Sequence, residues 1–110
     1  MKTKLFSTLI ILLLFTSLSS AGETVKDTTF KVFGNCGMCK ARIEKAMKIS
    51  EVKKASWDKN TKMLSVSFVT GKITVDSLQK IAASVGHDTE QYKASDEVYN
   101  NLPKCCLYRK

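Results

Sequence analysis

The stretch FGNCGMCKARIEKAM, Phe33 to Met47, sets two cysteines three residues apart where a loop with two glycines runs into a helical pattern. Cys39, Ile43, Ala46 and Met47 recur at helical spacing, while Lys40, Arg42, Glu44, Lys45 and Lys48 take other positions. Glu44 precedes Lys48 by one turn, the favourable order for an ion pair. Just upstream, TTFKVFG alternates as a strand, with Phe30 and Val32 on one face and Thr29 and Lys31 on the other. The cysteine loop therefore joins a first strand to a first helix.

Working outward, EVKKASWD reads as a second strand, with Ala55 and Trp57 on its buried face and Lys53 and Lys54 solvated. DKNTK, Asp58 to Lys62, has turn chemistry. MLSVSF is the clearest strand, because Leu64, Val66 and Phe68 alternate with Ser65 and Ser67. TVDSLQKIAASVG is a second helix. Thr74 is its N-cap and Asp76 lies in its first turn; Val75, Leu78, Ile81, Ala82 and Val85 form its apolar stripe, and Gly86 stops it. HDTEQYKA is expected to add a short edge strand. The order strand, helix, strand, strand, helix, strand predicts an α+β, ferredoxin-like βαββαβ sandwich, one antiparallel sheet under two helices.

The chain begins with Lys2 and Lys4, an apolar run from Leu5 to Phe15, and small residues ending at Ser19 and Ala21. This reads as a secretory signal peptide over residues 1–21, cut after Ala21. The run is shorter than the roughly 20 residues a bilayer span needs, so no stable membrane insertion is expected after cleavage. Residues 22–94 then form one small domain, and residues 95–110 a C-terminal extension. The net charge of +8 includes Lys2 and Lys4 and is otherwise scattered rather than clustered with aromatics, so nucleic acid is not an expected partner. A mildly basic surface suits an acidic partner or simply a soluble face. Export places the protein in the periplasm or otherwise outside the cell, where four cysteines first suggest disulfides.

Cys39 sits at or just before a helix N-terminus, where exposed amides and the helix dipole favour a thiolate, with Lys40 adding positive charge. Such a pair suits metal binding and redox chemistry alike. Two thiolates in a loop fit soft, low-coordinate ions, Cu(I) first and Hg(II) second. Structural Zn(II) needs more ligands than two cysteines supply. An exposed site with few ligands can also accept thiolates from another protein and pass its ion on by exchange.

A Cys-x-x-Cys between the first strand and first helix of a βαββαβ unit resembles the heavy-metal-associated domain family. That family includes copper chaperones, the metal-binding domains of copper-transporting ATPases and the periplasmic mercury-binding protein of mercury resistance systems. The resemblance covers about residues 28–94 and rests on Cys36, Cys39, the helix after them and the Val85-Gly86 ending of the second helix. It implies that Cys36 and Cys39 are the metal ligands, and that the partner is a metal-transporting ATPase or efflux component. The family usually has Met two residues before the first cysteine, anchoring the loop in the core; here that residue is Gly34, and Met38 lies between the cysteines, read as a packing residue. Where many members carry an aromatic residue after the helix-ending glycine, this chain has His87. The family fold brings that turn near the metal loop, making His87 a candidate third ligand, against the default of an exposed loop histidine.

The family pattern does not extend to LPKCCLYRK. Adjacent Cα atoms lie about 3.8 Å apart, whereas disulfides want about 4.4 Å or more, so a Cys105–Cys106 bond would be strained. The tail could fold back and add thiolates to Cys36 and Cys39, form a disulfide with that loop as a redox gate, carry a separate ligand pair, or take no part in metal binding. Tyr92, Val98, Tyr99 and Leu102 favour an ordered extension. The resulting expectation is a non-enzymatic, exported metal carrier. The alternatives are a thiol–disulfide redox protein and an adaptor stapled by disulfides.

Overall fold

The computed structural model describes residues 23–110; the signal peptide expected over residues 1–21 lies outside them. Three strands, β1 (Val25–Lys31), β2 (Val52–Trp57) and β3 (Met63–Val69), make one antiparallel sheet in the order β1-β3-β2. Two helices, α1 (Gly37–Ala46) and α2 (Val75–Ser84), complete the ferredoxin-like fold.

The central strand β3 carries the register. Phe30 of β1 and Trp57 of β2 both pair with Leu64, and Thr28 and Ala55 both pair with Val66. Alternation then puts Phe30, Trp57, Leu64, Val66 and Phe68 on one buried face. The β2–β3 turn is closed by Asp58, whose Oδ1 accepts from the amides of Asn60 (2.7 Å) and Thr61 (3.2 Å). Against that face α1 lays Cys39, Ile43 and Met47, and α2 lays Leu78 and Ala82. Thr74 caps α2 by accepting from the Ser77 amide at 3.1 Å. The stripe of α2 is rotated from the expected one: Gln79 and Ala83 are buried, while Val75, Ile81 and Val85 are only half-buried. Gln79 tolerates burial because its Oε1 accepts from the Gln91 amide at 3.1 Å.

The edge strand expected in HDTEQYKA does not form. One bridge, Val32 to Thr89, is all that survives of it. The side chains explain this. Thr89 Oγ1 accepts from the amides of Gln91 and Tyr92, and Asp88 Oδ1 accepts from the Ala94 amide at 2.7 Å. The amides a ladder would use are taken up locally, so the segment coils.

The extension is ordered. It holds α3 (Asp96–Asn100), capped by Ser95, and a short 3₁₀ turn at Lys104–Cys106 after Pro103. Tyr99, Leu102 and Cys106 are buried in the same core as Trp57 and Ile43. Among the described residues no helix is long and apolar enough to cross a membrane.

Candidate metal centre

The chain leaves the sheet at Lys31, and Val32 and Phe33 are pinned by hydrogen bonds to the Lys62 carbonyl and the Asp88 carbonyl, both at 2.8 Å. Gly34 then passes over the indole of Trp57. A Cβ at Gly34 would meet two Trp57 ring carbons at 3.1 Å and Cys39 Cβ at 3.0 Å. The space a side chain at position 34 would need is therefore held by Trp57, fully buried, whose Nε1–H donates to the Val32 carbonyl at 2.9 Å. Trp57 thus supplies, from β2, the anchoring that the family resemblance assigns to a loop methionine.

α1 starts earlier than its apolar pattern suggests, with Cys36 as its N-cap and Cys39 already in the first turn. Cys39 is fully buried, and its Sγ accepts from the Asn35 amide at 3.3 Å. Cys36 is half-buried, its Sγ 3.5 Å from that of Cys39. Lys40 is engaged elsewhere: its ammonium contacts Glu44 at 2.5 Å and the Trp57 carbonyl at 2.9 Å.

The tail delivers the other pair to the same place. Cys106 is fully buried with its Sγ 3.6 Å from that of Cys36, and the sulfurs of Cys36, Cys39 and Cys106 all lie within 4.8 Å of one another. Exposed Cys105 flanks this group, 2.8 Å from Cys36 Sγ and 3.9 Å from Cys106 Sγ. All four cysteines are free thiols. Burial works against ionisation of Cys36, but its hydrogen bonds with the Cys105 thiol, the Cys39 amide, and the Cys39 and Cys106 thiols outweigh it and bring its pKa down to about 6. The same Cys36–Cys105 hydrogen bond raises the Cys105 pKa, and burial raises that of Cys106. Cys36 is thus set apart from Cys105 and Cys106, its pKa lowered where theirs are raised.

His87 corrects the reading of an exposed loop histidine. It is fully buried, and it stands outside the three-sulfur group. Its Nδ1 meets the Phe33 carbonyl at 2.8 Å, its ring stacks on Tyr108 at 5.6 Å, and burial lowers its pKa. It braces the start of the metal loop. Met38 is not a packing residue either, being 56% exposed with its Sδ 3.5 Å from Cys105 Sγ.

No disulfide holds the tail in place. Arg109 does, with Nε and Nη2 on the two oxygens of Asp88 at 3.0 and 2.7 Å, Nη1 on Asp96 at 3.0 Å, and its guanidinium over the Tyr99 ring at 4.2 Å. Beside it, the Tyr108 hydroxyl donates to the Gly86 carbonyl and accepts from the Asp88 amide, each at 2.7 Å. These anchors carry no motif. Their sequence trace is an aromatic and an arginine just beyond the cysteines and an aspartate just beyond α2.

No protein-family model and no curated protein sequence matches the chain. Solved structures do. A CopZ metallochaperone shares 26% identity, covering 58% of this chain and 98% of its own, at a TM-score of 0.56. Oxidized MerP from Ralstonia metallidurans CH34 shares 28%, covering 60% and 94%, also at 0.56. The water-soluble region of the P-type ATPase CopA from Bacillus subtilis, at 24% identity, covers 62% and 46% with a TM-score of 0.57 and shares the fold. The resemblance to heavy-metal-associated domains thus holds in three dimensions. Since CopZ is matched over nearly its whole length, this chain has substantial sequence beyond the shared unit.

Proposed function

We propose that this heavy-metal-associated-like domain is a non-enzymatic carrier of a soft metal ion, Cu(I) in preference to Hg(II) or Zn(II), held by Cys36, Cys39 and Cys106. The observation that carries this reading is the convergence of three thiols within 4.8 Å, two from the loop and one from the tail. Three buried or half-buried sulfurs and no carboxylate or histidine suit a soft, low-coordinate ion, which is the ground for placing Cu(I) before Zn(II). Cys36 leads in capture because its pKa, lowered to about 6, makes it a thiolate at neutral pH and its side chain is only half-buried. Its half-exposed sulfur is also the point at which an incoming thiolate can enter and take the ion by exchange. The partner is a thiolate-bearing metal-transporting ATPase or efflux component, and the setting, from the N-terminal signal pattern, is the periplasm or another exported compartment.

A competitive Cu(I) titration of the reduced protein tests this. Tight binding is expected in the wild type, with a loss of several orders of magnitude in Cys36→Ser and Cys39→Ser and a smaller loss in Cys106→Ser. Wild-type affinity in all three variants would refute it. A second reading, thiol–disulfide exchange, is favoured by the low pKa of Cys36 beside the exposed Cys105 thiol. Turnover of a disulfide substrate by the metal-free protein would establish that role instead.

A further inference from the structure

The three-sulfur group leaves two soft donors unused. Cys105 Sγ lies 2.8 Å from Cys36 Sγ and 3.5 Å from Met38 Sδ, and both Cys105 and Met38 are exposed. An exposed methionine facing an exposed thiol is unexpected on packing grounds, because methionine ordinarily fills gaps in cores. We propose that Cys105 and Met38, sharing Cys36 with the inner group, form a second, solvent-facing Cu(I) site, so that one chain holds two ions. This deepens the reading above and rests on it.

Cys36 is the hub of the cluster, touching Cys39, Cys105 and Cys106. A thiolate sulfur has lone pairs enough to bridge two ions, so sharing Cys36 needs no extra ligand. Sulfurs 3.5–3.9 Å apart, the spacing of the Cys36–Cys39, Cys105–Met38 and Cys105–Cys106 contacts, can straddle an ion at about the 2.3 Å of metal–thiolate bonds. Only the Cys36–Cys105 pair must open, and the Cys105 side chain faces solvent. Charge does not oppose the second ion. Cys105 gives up its proton to solvent, and the added thiolate and the added Cu(I) cancel. The neutral thioether of Met38 keeps the outer site all-sulfur and directs it to Cu(I) rather than to oxygen-seeking cations.

The test is native mass spectrometry of the purified, reduced protein titrated with Cu(I) beyond two equivalents without oxygen. A monomer with two ions is expected; Met38→Leu should stop at one while keeping the first ion at wild-type affinity, and Cys105→Ser should also stop at one. Both side chains are exposed, so neither change opens the core. A wild type that stops at one ion overturns the second site, as do two ions persisting in both variants or a second ion seen only in dimers. A wild type that binds no ion overturns the primary reading as well, so the two failures are distinguishable.

Discussion

Cys36 and Cys39 reach their positions through local structure, a loop and the first turn of α1, whereas Cys105 and Cys106 are carried to the same spot by a tail anchored far away in sequence. Each pair offers one fully buried sulfur, Cys39 or Cys106, and one that meets solvent, Cys36 or Cys105. The buried sulfurs belong to the core, and their positions are fixed by packing. The outer sulfurs are the ones that can exchange ligands. The difference lies in what fails when each support is removed. The loop pair is set by β1, Trp57 and α1, whereas the tail pair depends on a clamp formed by Asp88, Tyr108 and Arg109.

The sharpest way to break this comparison is Arg109→Ala. It removes the paired contact to Asp88, the bond to Asp96 and the stacking on Tyr99. The tail should lift and withdraw Cys106, leaving a two-thiolate site. Cu(I) affinity is expected to fall about 10- to 100-fold, the range for losing a residue that positions metal ligands, with Cys36 and Cys39 still binding. Equal affinities in competitive titration would mean that the tail sulfur takes no part. The clamp also has a pH signature. Burial opposes ionisation of Asp88, but the Arg109 hydrogen bonds, the Ala94 amide and the Arg109 charge outweigh it and hold its pKa below the usual carboxylate value. Its stabilising effect is therefore full above the unfolded pKa of about 3.9 and is lost as pH falls through the lower folded value.

The contrast between the pairs also marks what was legible in the sequence. The first helix, the hairpin with Trp57, and the Cys36–Cys39 loop were readable because local periodicity and spacing encode them. The edge strand was misread because HDTEQYKA lacks any sign that Asp88 and Thr89 would cap their own backbone rather than pair. His87 was misplaced because its burial depends on Tyr108 and Phe33, which are distant in sequence. The tail could be seen to pack, from Tyr99 and Leu102, but four readings of its cysteines stayed open. Placing them beside Cys36 needed the contacts of Arg109, which no short motif records.

Gly86→Ala is expected to act next most strongly, and on both regions at once. Gly86 has φ of +104°, and an added Cβ would come within 2.9 Å of Leu102 Cδ2. Backbone strain of this kind costs about 1–3 kcal/mol, and the push on Leu102 adds to it. Thermal unfolding should shift down by several degrees, and Cu(I) affinity should fall with it, because Leu102 precedes the cysteine turn. An unchanged melting temperature would show that the α2 end and the tail are not packed together as described.

The smallest effect expected is a displaced titration midpoint, and it reports on the outer sulfurs alone. Cys36 has a pKa of about 6, opposed by burial and sustained chiefly by its hydrogen bond with Cys105. Thiolates, not thiols, react with alkylating agents, so alkylation of Cys36 in metal-free protein should rise with pH through a midpoint near 6. Peptide mapping separates it from Cys105, whose pKa is raised by the same bond and which should react only at higher pH. Cys105→Ala removes this hydrogen-bond partner and should move the Cys36 midpoint upward, while Arg109→Ala, which lifts the whole tail, should move it further by removing the Cys106 contact too. A midpoint that stays put in both variants would mean that the loop alone sets the acidity of Cys36. Its coupling to the tail would then be confined to the metal-bound state.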